Sequence, residues 1–110
     1  MAVQNLSRDE VKQKLDGGRA AVVEALPEQY YKEAHLPGAL LLPVDDVDQL
    51  APGLLPDKDA EVIVYCTGTT CSNSGIAAER LAELGYSKVF TYKDGKEDWI
   101  GGGLPTESGV

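Results

Sequence analysis

The chain has 110 residues, 43% of them hydrophobic and 25% charged, which is enough for one ordinary domain core and too little for two. Ten basic residues against eighteen acidic ones leave a net charge of −8, which repels phosphate backbones and argues against nucleic acid as a partner. No apolar run approaches the roughly 18 residues of a membrane span, and two cysteines with one histidine give neither a disulfide framework nor a zinc site, so no membrane, metal or cofactor is expected.

Met1 to Leu6 carry no basic segment followed by a long apolar one, so the expectation is a soluble, cytoplasmic protein with reduced thiols. Ser7-Arg8-Asp9-Glu10 reads as a capping box, with Leu6 and Val11 placed to staple it, and predicts a helix from about Arg8 to Asp16 that Gly17-Gly18 stops. Ala20 to Glu24 is a short apolar run suited to a strand buried on both faces. Pro27 opens a short helix through Glu33.

His35-Leu36-Pro37-Gly38-Ala39 has turn chemistry and leads into a short strand, Ala39 to Leu42. An acidic, partly helical stretch around Asp45 to Leu50 follows, ended by Pro52, Gly53 and Pro56. Glu61 to Cys66 is the strongest strand signal and predicts a central strand. Ser72 to Leu84 is helical, with Ile76, Ala77, Leu81 and Leu84 inward and Gly85 at its C-terminal stop. Val89 to Tyr92 makes a further strand, and Gly101 to Val110 reads as a loose tail on a single domain. Strands alternating with helices imply right-handed crossovers and a mainly parallel sheet between helical layers.

Ligands of open α/β sheets gather at the carboxyl ends of the strands, where Cys66 stands. The loop Thr67-Gly68-Thr69-Thr70-Cys71 then enters a helix N-terminus, whose free N–H groups and dipole would favour a Cys66 thiolate and hold an anion attached to it. Gly68 lets the loop curl. The competing reading of Cys66 is a buried strand-end cysteine packed as a small hydrophobe.

Val62-Ile63-Val64-Tyr65-Cys66, a six-residue loop, then Ala77-Ala78, Leu81, Leu84-Gly85-Tyr86 and Val89 resemble the active-site half of a rhodanese-like domain. His35-Leu36-Pro37-Gly38-Ala39 is similar to that family's His-Ile-Pro-Gly-Ala turn, and Asp94-Gly95 with Trp99 and Leu104-Pro105 to its ending. The resemblance implies a three-layer α/β sandwich with a mainly parallel five-stranded sheet. It also implies sulfane-sulfur transfer through a Cys66 persulfide, held by Thr67, Gly68, Thr69, Thr70, Cys71 and Ser72. The partners would be a small sulfur donor, such as thiosulfate or another persulfide, and a thiol or protein acceptor.

The sequence departs from the family where arginines are usual. Thr67 and Cys71 occupy two such loop positions, and Val23-Glu24-Ala25-Leu26 replaces a strand end of the form Asp-x-Arg. Thiosulfate is therefore expected to be a poor donor. The longer loop of phosphatases sharing this fold ends in arginine, and its counterpart here is Ser72, which leaves a phosphoryl group unclamped. Thr69, Thr70 and Ser72 offer hydroxyl donors to bound sulfur, or simply solvate the loop and cap the helix.

Cys71 has three readings: a packed bystander, a second thiol that resolves a Cys66 sulfenate or persulfide into a disulfide, or a sulfur relay. His35 is read as fixing its turn rather than as a base, Trp99 as a core or rim anchor, and Asp45, Asp46 and Asp48 as a solvated face. Three functions remain open at this point: a sulfurtransferase or persulfide carrier, a non-catalytic interaction module, and a thiol redox protein using a Cys66–Cys71 disulfide.

Overall fold

The computed structural model describes residues 3–18 and 20–109. Its strands are β1 (Gln4–Asn5), β2 (Ala20–Glu24), β3 (Leu40–Leu41), β4 (Glu61–Tyr65) and β5 (Lys88–Tyr92). Its α-helices are α1 (Arg8–Asp16), α2 (Glu28–Glu33), α3 (Val47–Leu54), α4 (Asn73–Glu83) and α5 (Gly95–Gly101), with a 3-10 turn over Val44–Asp46. One sheet has the order β1-β5-β4-β2-β3, and every pairing is parallel.

β4 is central as expected, running beside β2 from Ala20 opposite Glu61 to Glu24 opposite Tyr65. Alternation along it divides the core. Val62 and Val64 join Val23, Ala25, Val47, Ala51, Ala77, Ala78 and Leu81 on the α3/α4 side, while Ile63 and Tyr65 join Leu6, Val11, Val22, Tyr92 and Trp99 on the α1/α5 side. This is a three-layer sandwich of helices, sheet and helices.

The capping box forms as read: Ser7 N–H donates to Glu10 Oε1 at 2.9 Å, and Glu10 N–H to Ser7 Oγ at 3.3 Å. Leu6 and Val11, the staple pair, are both buried. Gly85, at φ +105°, takes the left-handed conformation that ends α4.

Three expectations are corrected. Pro52 does not stop the acidic stretch: α3 runs through it to Leu54, with Val47 and Ala51 in the core and the Tyr86 hydroxyl 2.6 Å from Leu55 O. Ile76 is 54% exposed, because the inner stripe of α4 is Ser74, Ala77, Ala78 and Leu81. The tail is not loose. Trp99 Nε1 donates to Pro105 O at 2.8 Å, His35 and Glu107 pair through both backbone N–H groups at 2.8 Å, and Gly109 N–H reaches Lys32 O at 2.8 Å. Val110 lies outside the described residues.

Of the acidic run, Asp48 is paired rather than merely solvated. Arg80 donates to its two carboxylate oxygens at 2.6 and 2.7 Å, and these bonds hold the Asp48 carboxyl below its ordinary range.

Candidate active site

The carboxyl end of β4 presents different chemistry on the two faces of the sheet. Tyr65 belongs to the α1/α5 side, and Cys66, next in the alternation, continues the parity of Val62 and Val64 toward α3 and α4.

Cys66 is 1% exposed. The chain then doubles back: Cys71 N–H donates to Gly68 O at 3.0 Å, closing a four-residue turn that returns Cys71 to the strand end. The two sulfurs meet as a Cys66–Cys71 disulfide with Cα atoms 6.4 Å apart, inside the range such a bond spans. The expectation of reduced thiols is corrected for this state. Residue spacing could not show that this turn would form.

The other side of the loop is clamped by the start of α5. Lys96 and Glu97 N–H groups donate to the carbonyls of Cys66 and Thr67, each at 2.9 Å. So close an approach needs Gly95, which sits at φ +67° and whose Cβ, if it had one, would stand 2.6 Å from Cys66 O and 2.9 Å from Gly68 N. Gly68 is not at positive φ, and the nearest atoms a Cβ there would meet are those of the Glu97 carboxylate, the movable end of a side chain.

Asn73 Nδ2 donates to Ala25 O at 3.0 Å and so ties the first turn of α4 to the end of β2. Ser72 does not cap the helix with its side chain. With Thr69 and Thr70 it is exposed, while Thr67 is half-buried, and none of the described hydrogen bonds joins a loop hydroxyl to the Cys66 sulfur. The first-turn N–H groups of α4 consequently keep no side-chain cap, and the positive helix end stays at the cysteine pair.

Ser74 escaped the sequence reading. It stands at the N-terminal end of the buried α4 stripe, level with the carboxyl end of β4, and is 1% exposed. Its hydroxyl has no hydrogen-bond partner among the described residues. The spacing of Ser74 from Ala77, Ala78 and Leu81 was the available signal.

Beneath the sheet lies a buried polar cluster, also unforeseen. Glu24 is fully buried and accepts from the Tyr65 hydroxyl at 2.6 Å and from Lys96 Nζ at 3.0 Å. Lys96 also donates to Tyr30 O at 2.9 Å, and Leu36 N–H donates to the Tyr65 hydroxyl at 3.1 Å. Burial pushes the Tyr65 phenol far above its ordinary value and the Glu24 carboxylate adds to this, so the hydroxyl remains a neutral donor. The ammonium of Lys96 is thus engaged by Glu24 on the face away from the Cys66 sulfur. It does not replace the absent loop arginines.

His35 is buried, places Nδ1 2.7 Å from Tyr31 O and stacks on the Tyr31 ring at 3.8 Å. These contacts fix the turn, and none of the described hydrogen bonds joins His35 to the Cys66 loop. Trp99 is a core anchor, packed edge-on against Tyr92. Among the described residues no group of three or more His, Cys, Asp or Glu is placed to hold a metal, and no helix is long and apolar enough to cross a membrane.

Comparison with known proteins gives a consistent answer. The profile of the rhodanese-like domain matches residues 7–101. The HTH-type transcriptional regulator Rv0324 of Mycobacterium tuberculosis is 28% identical over 105 residues, covering 96% of this chain and 45% of its own length. The thiosulfate sulfurtransferase PspE of Escherichia coli is 41% identical over 64 residues, 58% of this chain and 59% of that protein. The chain therefore spans about half the length of the curated relatives it matches. Among solved structures, the BH2092 protein of Bacillus halodurans superimposes with a TM-score of 0.87 at 25% identity, covering 96% of this chain and 77% of that one.

Proposed function

The chain belongs to the rhodanese-like domain family, and on that premise we propose that, once reduced, it carries sulfane sulfur on Cys66. The Cys66 thiolate attacks the outer sulfur of a donor, the donor leaves as its thiolate or sulfite, and a thiophilic acceptor then removes the sulfur from the Cys66 persulfide. The backbone N–H groups of Thr67, Gly68, Thr69, Thr70, Cys71 and Ser72 are the candidates for holding the persulfide. The observation that carries this reading is the buried Cys66 at the carboxyl end of the central strand, facing the uncapped first turn of α4. The sulfurtransferase among the relatives supports it.

The donor class follows from what the loop lacks. With no arginine between Cys66 and Ser72 and a net charge of −8, a dianion such as thiosulfate meets no charge-assisted donor and an unfavourable field. A persulfide of lower charge avoids both penalties. Steady-state transfer to cyanide by the reduced Cys71→Ser protein, which has no second thiol to discharge the persulfide, tests this. A persulfide donor is expected to exceed thiosulfate by roughly tenfold or more in kcat/KM, the worth of one missing charge-assisted hydrogen bond, and Cys66→Ser should abolish both rates. Equal rates for the two donors would contradict the donor class.

A second reading, an interaction module with an inert Cys66, has the transcriptional regulator among the relatives behind it. Rates no higher than the protein-free reaction, with or without Cys66→Ser, would favour it.

A further inference from the structure

We propose that Cys71 makes this site release sulfide. Its thiolate attacks the inner sulfur of a Cys66 persulfide, the S–S bond to the outer sulfur breaks, and hydrosulfide leaves with the electron pair. A Cys66–Cys71 disulfide remains. The two cysteine thiols are oxidised by two electrons and the sulfane sulfur is reduced to sulfide, so the step needs no outside oxidant. It deepens the proposed function, because it rests on Cys66 accepting sulfur in the first place.

Geometry selects this step over the two other roles open to Cys71. The turn closed by Cys71 N–H on Gly68 O, together with the α5 clamp on the Cys66 and Thr67 carbonyls, fixes both ends of the loop. In that arrangement the Cys71 sulfur meets Cys66 Sγ itself, the inner sulfur of a persulfide, rather than a point beyond it where the outer sulfur would sit. A relay, in which Cys71 takes the outer sulfur, needs the second position. A bystander needs neither.

Exposure sets the return path. Cys66 is 1% exposed and Cys71 is half-buried, so an incoming dithiol reductant reaches the Cys71 sulfur. Cys66 then leaves as a thiolate toward the first turn of α4. The second thiol of the reductant attacks the mixed disulfide, departs as its own disulfide and frees Cys71. One cycle converts a persulfide and a dithiol into a thiol, sulfide and a disulfide.

The test treats fully reduced wild type, Cys66→Ser and Cys71→Ser with glutathione persulfide, in the absence of other thiols, and reads intact mass and released sulfide. Cys71→Ser should gain the mass of one sulfur atom and hold it, releasing no more sulfide than the Cys66→Ser control. Wild type should end with the mass of two hydrogens lost and one sulfide released per chain above that control. Wild type that keeps the added sulfur with its thiols unpaired, or carries it on Cys71, would overturn the proposal while leaving the Cys66 carrier intact. Cys71→Ser that never gains sulfur would overturn the carrier reading and this one with it.

Discussion

Replacing Lys96 with methionine removes the only cation on Glu24 seen among the described residues while keeping an apolar stem of similar length. Glu24 is fully buried and Lys96 Nζ lies 3.0 Å from it, with 12% of the lysine side chain exposed. Without that ammonium the carboxylate keeps one hydrogen bond, from Tyr65, and an unpaired buried charge costs about 3–5 kcal/mol. Lys96→Met should therefore lose about 3–5 kcal/mol of stability at pH 7. Urea unfolding of wild type and variant at pH 7 measures it, and adding Glu24→Gln to the variant should recover part of the loss, because no charge is then left buried. A deficit below about 1 kcal/mol would refute the claim that the pair holds a buried charge.

Two further outcomes concern local geometry. Gly95→Ala should destabilise the fold by at least about 1–3 kcal/mol, the range for a non-glycine residue held in a left-handed conformation. It should also slow Cys66 alkylation or speed it, because the new Cβ displaces the Cys66 carbonyl; unchanged unfolding midpoint and alkylation rate would show that α5 does not clamp the loop. Hydrogen bonds from Ser7 hold the Glu10 carboxyl below its ordinary 4.5, so its capping contribution is present above that value and lost as pH falls through the lower folded one. Glu10→Ala should therefore be less stable than wild type at pH 7, with the gap closing below about pH 4.5; a gap independent of pH would count against the capping box.

Much of the fold was legible because local signals agreed with the tertiary answer. The Ser7–Glu10 box fixed the start of α1, and the β-branched run Val62-Ile63-Val64 marked a strand buried on both faces. β1 and α5 were not foreseen. Gln4–Asn5 has no apolar pattern and is a strand only because β5 offers it an edge, and α5 opens on a glycine whose purpose is close contact with Cys66. At the candidate site, the place of Cys66 directly after the central strand was readable. Its pairing with Cys71 stood in the sequence only as one of three readings, since it depends on the Gly68–Cys71 turn. Glu24 and Lys96 are 72 residues apart and meet only because β2 and the start of α5 flank the same strand end. Tertiary proximity of this kind leaves no trace in spacing.

The central claim, sulfur on Cys66, is tested most directly by mapping the cysteine that carries it. Reduced Cys71→Ser should be loaded with a persulfide donor, alkylated, digested and sequenced by mass spectrometry. The account predicts an alkylated persulfide on the peptide containing Cys66, absent when Cys66 is also changed to serine. A Cys66 recovered only as the simple alkylated thiol would contradict it.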